Sequence, residues 1–82
     1  MDRLQMAKFR AIGTKETQKN LERDNVLCVY IAQDADERVV GPIYQLARQK
    51  GIEVMQVPSM KELGKACGIR VGAASAACLR EP

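Results

Sequence analysis

Three stretches of the chain have the apolar pattern of β-strands. Val26–Ala32 ("VLCVYIA") is a continuous apolar run rich in β-branched residues, which is typical of a central strand covered on both faces. Residues 52–57 ("IEVMQV") largely alternate between apolar and polar side chains, which predicts a second, half-exposed strand. Ser75–Leu79 ("SAACL") is short and apolar, and we expect it to form the last strand.

The first two helices are predicted from weaker patterns. Residues 2–11 place apolar side chains at near-helical spacing, which predicts an amphipathic helix that ends before Gly13. Thr14 is expected to cap a second helix that runs to about Arg23, because a threonine hydroxyl accepts a hydrogen bond from a backbone N–H two or three residues later. Leu21 is the only large apolar residue in this second helix, so most of its surface must face water or a ligand.

Carboxylates follow the central strand and open a third helix. Asp34 and Asp36 suit its N-terminus because carboxylates cap free backbone N–H groups and interact favourably with the helix dipole. We expect the helix to reach Lys50 and to end at Gly51. Because proline has no backbone N–H, the part before Pro42 is either a separate turn or the first part of the same helix.

A fourth helix follows the second strand. It is expected to begin at Ser59, which has the spacing of a capping box with Glu62, and to end at Gly68. Helices that alternate with strands over so short a length predict an α/β fold, a three-layer α-β-α sandwich with a mixed sheet of three or four strands. The sequence contains no linker or internal repeat, so we expect residues 1–82 to form a single domain.

Composition argues against several classes of protein. The chain is 46% hydrophobic but only 4% aromatic, so its core must consist mainly of aliphatic, Met and Cys side chains. It has no histidine, and its three cysteines form no CxxC pair, so we expect no metal site, no disulfide and no cofactor. No apolar run approaches the roughly 20 residues that span a bilayer. We therefore expect a soluble, cytoplasmic protein without a membrane partner.

Charge is distributed unevenly along the chain. Residues 1–23 carry six basic and three acidic side chains, residues 24–57 three and five, and residues 58–82 four and two. The two ends are therefore basic and the middle is acidic. If the fold brings the ends together, a positive face results, and such a face suits a polyanionic partner.

Two motifs of phosphate chemistry are incomplete. A strand followed by Asp34-x-Asp36 occurs in phosphotransferases whose first carboxylate is the nucleophile, but the metal site and further acidic residues that such enzymes need are missing. Gly64-Lys65 precedes Ala66 and has no glycine at the spacing of a phosphate-binding loop. We expect no catalytic residues, and a small phosphoryl-transfer enzyme that uses Asp34 and Asp36 is the least favoured alternative.

The polar second helix has the chemistry of a nucleic-acid contact. Lys15 and Lys19 are one turn apart, with Glu16 beside them near the positive end of the helix. A carboxylate accepts hydrogen bonds from base amino groups, and lysines donate to phosphates or to guanine acceptors. The three aromatic residues are too scattered to form a stacking platform, which favours a structured RNA over a single strand.

Three motifs, "IGTKETQK", "YIAQDAD" and "MKELGKACGIRVGAASAA", resemble in sequence and spacing those of the kink-turn-binding ribosomal protein family. The likeness covers nearly the whole chain, is closest to the short bacterial members, and is most specific at residues 63–69 ("LGKACGI"). Members of that family adopt an α-β-α sandwich. They bind RNA duplexes that bend sharply at a three-nucleotide bulge flanked by tandem sheared G·A pairs.

The resemblance implies a role for each part of the site. The second helix would approach the RNA and read the sheared guanines and nearby phosphates, and the loop after the fourth helix would pack against the unstacked bulge nucleotide. The RNA-binding residues implied in this way are Gly13, Thr14, Lys15, Glu16, Lys19, Lys65, Ile69, Arg70, Val71, Gly72 and Ala73. Asp34 and Asp36 would belong to a structural turn.

Position 15 departs from the family pattern. Many archaeal and eukaryotic members have an asparagine there that bonds the sheared guanine, and Lys15 lacks the paired donor and acceptor of that amide. Arg70 adds a charge that can contact phosphate. We expect a monomeric, non-catalytic protein whose partner is kink-turn RNA, with the ribosome as a further candidate partner. The main alternative is a ribosome-associated module that binds protein and not the kink-turn.

Overall fold

The computed structural model describes all of residues 1–82, which form one four-stranded sheet with four helices. The elements in chain order are α1 (Asp2–Met6), β1 (Arg10–Ile12), α2 (Thr14–Glu22), β2 (Val26–Ala32), α3 (Glu37–Gln49), β3 (Glu53–Val57), α4 (Met60–Ala66) and β4 (Ser75–Leu79). The strand order is β1-β4-β2-β3. β4 is antiparallel to both β1 and β2, whereas β2 and β3 are parallel. The predicted mixed sheet is therefore confirmed, with four strands.

The sheet has an apolar core on each face, and each core is covered by two helices. Leu4 of α1 and Leu63 of α4 pack on one face with Cys28 and Tyr30 of β2. Leu21 of α2 and three residues of α3 pack on the other face with the alternate side chains of β2. The predicted three-layer α-β-α sandwich is confirmed, and β2 lies at its centre as the continuous apolar run indicated.

The first predicted helix is wrong in its second half. α1 ends at Met6, and residues 10–12 form strand β1, which pairs with residues 76–78 of β4. Ala11 packs in the core on the α2 and α3 side, whereas Ile12 packs against the other core. This alternation is that of a strand, and the hydrogen bonds to β4 outweigh a helical preference that extends over fewer than three turns. The same pairing brings the two basic ends of the chain together.

The structure corrects two further details of the helices. Gly13, and not Thr14, is the N-cap of α2, and Thr14 is its first helical residue. α3 is continuous through Pro42, so the separate turn considered before that residue does not exist. Pro42 is exposed, and the carbonyl group that loses its helical partner there can be solvated. Asp36 caps α3 as predicted, with its side chain accepting a hydrogen bond from the Arg38 backbone N–H at 2.9 Å.

The N-terminus of α4 is capped by two side chains. Ser59 Oγ accepts from the Glu62 backbone N–H at 3.1 Å, which confirms the predicted cap. Asp34 Oδ1 accepts from the Met60 backbone N–H at 2.8 Å. The returning bond from Ser59 N–H to the Glu62 carboxylate is absent, so the capping box is only half formed. None of the four helices has both the length and the apolar composition required to cross a membrane.

Candidate nucleic-acid interface

The N-terminus of α2 begins at a glycine whose backbone conformation few other residues adopt. Gly13 has φ 94° and ψ 161°, a region that is costly for residues with a Cβ. Its N–H donates to the Ser75 carbonyl oxygen at 2.9 Å, and a Cβ at this position would meet no atom within 4 Å. The glycine is therefore required by the turn, and the space outside it is open to a ligand.

α2 buries one narrow face and leaves the other free. Thr17 and Leu21 are its buried residues, whereas Lys15, Glu16 and Lys19 are exposed. None of these three charged side chains takes part in any of the three salt bridges of the molecule. No side chain caps the helix, so N–H groups of the first turn remain available at its positive end. Free backbone donors at the start of α2 and the unpaired side chains of Lys15, Glu16 and Lys19 are thus available along the exposed face of this helix.

The loop between α4 and β4 presents an apolar tip. Val71 is 71% exposed and is the most exposed large apolar side chain after Met6. Arg70 is also exposed, whereas Ile69 is half-buried against the core beside α4. Ala73 is 4% exposed, so its side chain belongs to the core beneath the loop and offers little surface to a ligand. Lys65 is exposed in the last turn of α4.

α4 holds this loop closely. The Ile69 N–H donates to the Gly64 carbonyl oxygen and the Ala73 N–H donates to the Met60 carbonyl oxygen, both at 3.0 Å. A Cβ at Gly64 would overlap the Val71 carbonyl oxygen. The backbone of the loop therefore lies directly against its own helix. This contact fixes the position of residues 69–73.

Ser75 joins the two candidate segments. It is the first residue of β4, follows the loop directly, and accepts the Gly13 N–H. Its hydroxyl lies 3.1 Å from the Thr14 hydroxyl. The structure thus brings the start of α2 next to the end of the loop. No motif in the sequence had predicted a role for Ser75. Serine at the start of a strand is too common for its contacts to be predicted from the local pattern.

The carboxylates and thiols that could act as nucleophiles are either engaged in helix caps or buried. Asp34 caps α4 and Asp36 caps α3, and hydrogen bonds from Arg38 lower the pKa of Asp36. No group of three potential metal ligands occurs in the chain. The three cysteines are free and buried, and burial raises the pKa of Cys67 and brings that of Cys78 to about 11. The two carboxylates serve as helix caps, and these two thiols are protonated at neutral pH.

Comparisons with known proteins agree with this architecture. The model of the ribosomal protein L7Ae/L30e/S12e/Gadd45 family matches residues 3–82. An RNA-binding protein of Bacillus pumilus is 46% identical over 78 residues, which cover 95% of each chain. The large ribosomal subunit protein eL8 of Halobacterium salinarum is 47% identical over 66 residues, which are 79% of this chain and 55% of that protein.

A solved structure extends the agreement to three dimensions. The Giardia lamblia 15.5kD RNA binding protein has a TM-score of 0.81 and 27% sequence identity to this chain. The match covers 88% of this chain and 61% of the Giardia chain, so this chain spans about three fifths of that structure.

The fold, the exposed polar face of α2 and these relatives together show the class of this protein. It is a small α/β RNA-binding protein of the ribosomal type, and not an enzyme. Within that class the chain belongs to the ribosomal protein L7Ae/L30e/S12e/Gadd45 family. The resemblance recognised in the three motifs is therefore confirmed. The hypothesis of a phosphoryl-transfer enzyme is wrong, because the family is non-catalytic and Asp34 and Asp36 are helix caps.

Proposed function

We propose that this protein recognises kink-turn RNA and stabilises its sharp bend. The target is an RNA duplex with a three-nucleotide bulge flanked by tandem sheared G·A pairs. The protein favours the bend by binding the bent RNA more tightly than the extended RNA, so that the population shifts without any chemical step.

The observation that carries this proposal is the junction at Ser75. The Gly13 N–H donates to the Ser75 carbonyl oxygen at 2.9 Å, so the polar end of α2 lies beside the end of the loop with the apolar tip. A bent RNA offers a paired stem and an unstacked nucleotide close together. An undistorted duplex stacks its bases and offers nothing to the apolar tip.

The exposed face of α2 supplies the polar contacts. The Glu16 carboxylate accepts hydrogen bonds from base amino groups, and Lys15 and Lys19 donate to guanine acceptors or to phosphates. The uncapped N–H groups of the first turn favour a nearby phosphate. Because these side chains have no partner within the protein, RNA binding breaks no existing ion pair.

The loop supplies the apolar and remaining basic contacts. Val71 and Ile69 pack against the unstacked nucleotide. Gly72 has no side chain that would keep the nucleotide away from the loop backbone. Arg70 and Lys65 are exposed and unpaired, and they bind phosphates on either side of the bend. The side chain of Ala73 supports the loop from beneath.

Lys15 affects both the selectivity for guanine and the electrostatic part of RNA binding. A lysine makes one strong donor contact where an asparagine makes a paired donor and acceptor contact. We therefore expect less dependence on the identity of the guanine and more dependence on salt than an asparagine at this position would give.

We further propose that the protein acts as a monomer formed by a single domain and that it associates with the ribosome in the cytoplasm. Support for the ribosome comes from the 47% identity to the large ribosomal subunit protein eL8. The sheet and both cores are complete within one chain, which is compatible with a monomer.

The experiment is a titration of two labelled RNAs with the full chain at two salt concentrations. One RNA contains the kink-turn, and in the other its G·A pairs are replaced by Watson–Crick pairs. We expect tight binding of the first and weak, strongly salt-dependent binding of the second. Equal affinity for the two would reduce the site to a basic surface. Absence of binding at low salt would favour a protein partner.

A further inference from the structure

The hydroxyl group of Thr14 is directed towards the protein. Its Oγ1 lies 3.1 Å from Ser75 Oγ, and either hydroxyl can be the donor. Ser75 is fully buried and Thr14 is half-buried. A second bond, from the Gly13 N–H to the Ser75 carbonyl oxygen, lies beside the first. The start of α2 is therefore attached to one residue by a backbone bond and a side-chain bond.

Ser75 itself is held firmly. It is the first residue of β4, which lies between β1 and β2, and its register partner is Ile31 of β2. The preceding residue, Ala74, accepts the Ala32 N–H at 2.9 Å. Bonds to the sheet thus fix the point at which the loop enters β4. The two bonds at Ser75 attach the first turn of α2 to this point, whereas Leu21 holds the rest of the helix in the core.

We propose that Ser75 is a positioning residue of the RNA site, and that Thr14 acts through Ser75 and not by contact with RNA; this inference rests on the proposed function. The hydroxyl pair holds the first turn of α2 at the distance from residues 69–73 that a bent RNA requires. Without it, the first turn samples other positions, and only a fraction of molecules is ready to bind. The apparent affinity falls by that fraction.

Double-mutant analysis tests this role. Thr14→Val keeps the side-chain shape and removes the hydroxyl, and Ser75→Ala removes the partner hydroxyl. Each variant, the double variant and the wild type are titrated with kink-turn RNA at a temperature well below every melting temperature. We expect each single substitution to weaken binding about three- to tenfold, as the loss of one hydrogen bond does. The double variant should bind no more weakly than the weaker single variant, because all three lack the same bond.

Thr17→Val is the matched control. It is the same substitution three residues later on α2, and the Thr17 hydroxyl is buried without a hydrogen-bond partner. We expect wild-type affinity from this variant, with stability unchanged or higher. Melting temperatures of all variants are measured in parallel. A merely structural pair would lower the melting temperature without changing affinity for RNA, and that result would overturn the proposal.

The remaining outcomes are also decisive. If the effects of Thr14→Val and Ser75→Ala on affinity multiply in the double variant, Thr14 contacts RNA directly and the positioning role is wrong. If single variants bind like the wild type, the hydroxyl pair does not position the site. Failure of the wild type to distinguish kink-turn RNA from the Watson–Crick control is a different result, since it contradicts the proposed function itself.

Discussion

The carbonyl oxygen of Val71 occupies the space in which a side chain at Gly64 would begin. Backbone of the loop and backbone of α4 are therefore in direct contact, and the Ile69 N–H to Gly64 carbonyl bond of 3.0 Å lies at the same place. A loop held in this way keeps Val71 exposed while its own backbone is bound to the helix. This contact organises half of the candidate site before any RNA is present.

Gly64→Ala should be strongly destabilising. The added methyl group forces the loop away from α4, and overpacking of this kind typically costs about 1–3 kcal/mol. Urea denaturation measures the free energy of unfolding. Gly41→Ala is the control, because Gly41 is also inside a helix but a Cβ there meets no atom within 4 Å. That variant should gain about 0.5–1 kcal/mol. Equal changes in the free energy of unfolding for the two variants would show that the loop backbone does not pack closely against Gly64.

Lys19→Ala should weaken kink-turn binding in one of two recognisable ways. Loss of a base contact costs about 1–3 kcal/mol of binding free energy, whereas loss of a phosphate contact reduces the salt slope by about one. Lys8→Ala removes the same charge beside Leu79, at the end of β4 opposite Ser75. If it weakens binding as much as Lys19→Ala does, net charge governs binding and the exposed face of α2 has no special role.

The acid sensitivity of folding should depend on Asp36. Hydrogen bonds from Arg38 lower its pKa in the folded state, below the value of about 3.9 for an unfolded chain. The stabilisation is therefore complete above that value and is lost as the pH falls through the lower pKa of the folded state. Unfolding measured from pH 6 down to pH 2 should show a smaller loss of stability for Asp36→Asn than for the wild type. Parallel curves would show that this carboxylate does not contribute.

The cysteines should react slowly with a thiol reagent in the folded protein. All three are buried, and burial raises the pKa of Cys78 to about 11, so its thiolate is scarce at neutral pH. The measurement is the reaction rate with a chromogenic disulfide at pH 7, with and without denaturant. Rapid reaction of any thiol in the native state would show that its core opens readily.

Local patterns predicted those parts of the fold whose signal lies within one segment. The apolar run at Val26–Ala32 and the Ser59 cap needed no information from distant residues. Strand β1 could not be predicted, because three residues carry no period and the strand exists only through its pairing with β4. Thr14 was wrongly predicted as the N-cap of α2, because its hydroxyl group has a distant partner that the local sequence does not reveal. The Thr14 hydroxyl is bonded to a residue 61 positions away.

The sequence predicted which side chains of α2 are exposed in the candidate site, but not how the two segments of the site are arranged. Exposure of Lys15, Glu16 and Lys19 followed from the scarcity of apolar residues in α2. The junction at Ser75 depends on the order of the strands, and the burial of Ala73 depends on how the loop folds over the core. The chemical character of α2 could therefore be predicted from its sequence, whereas the arrangement of α2 and the loop became known only from the structure.

Binding of the protein should bend the RNA, and the distance between the two RNA ends reports that bend. A kink-turn RNA carrying a donor and an acceptor fluorophore on its two stems is titrated without divalent cations, so that the free RNA is extended. We predict that the wild-type protein brings the ends together at saturation, and that the RNA with Watson–Crick pairs stays extended at the same protein concentration. Saturated binding with an unchanged end-to-end distance would show that the protein does not stabilise the bend.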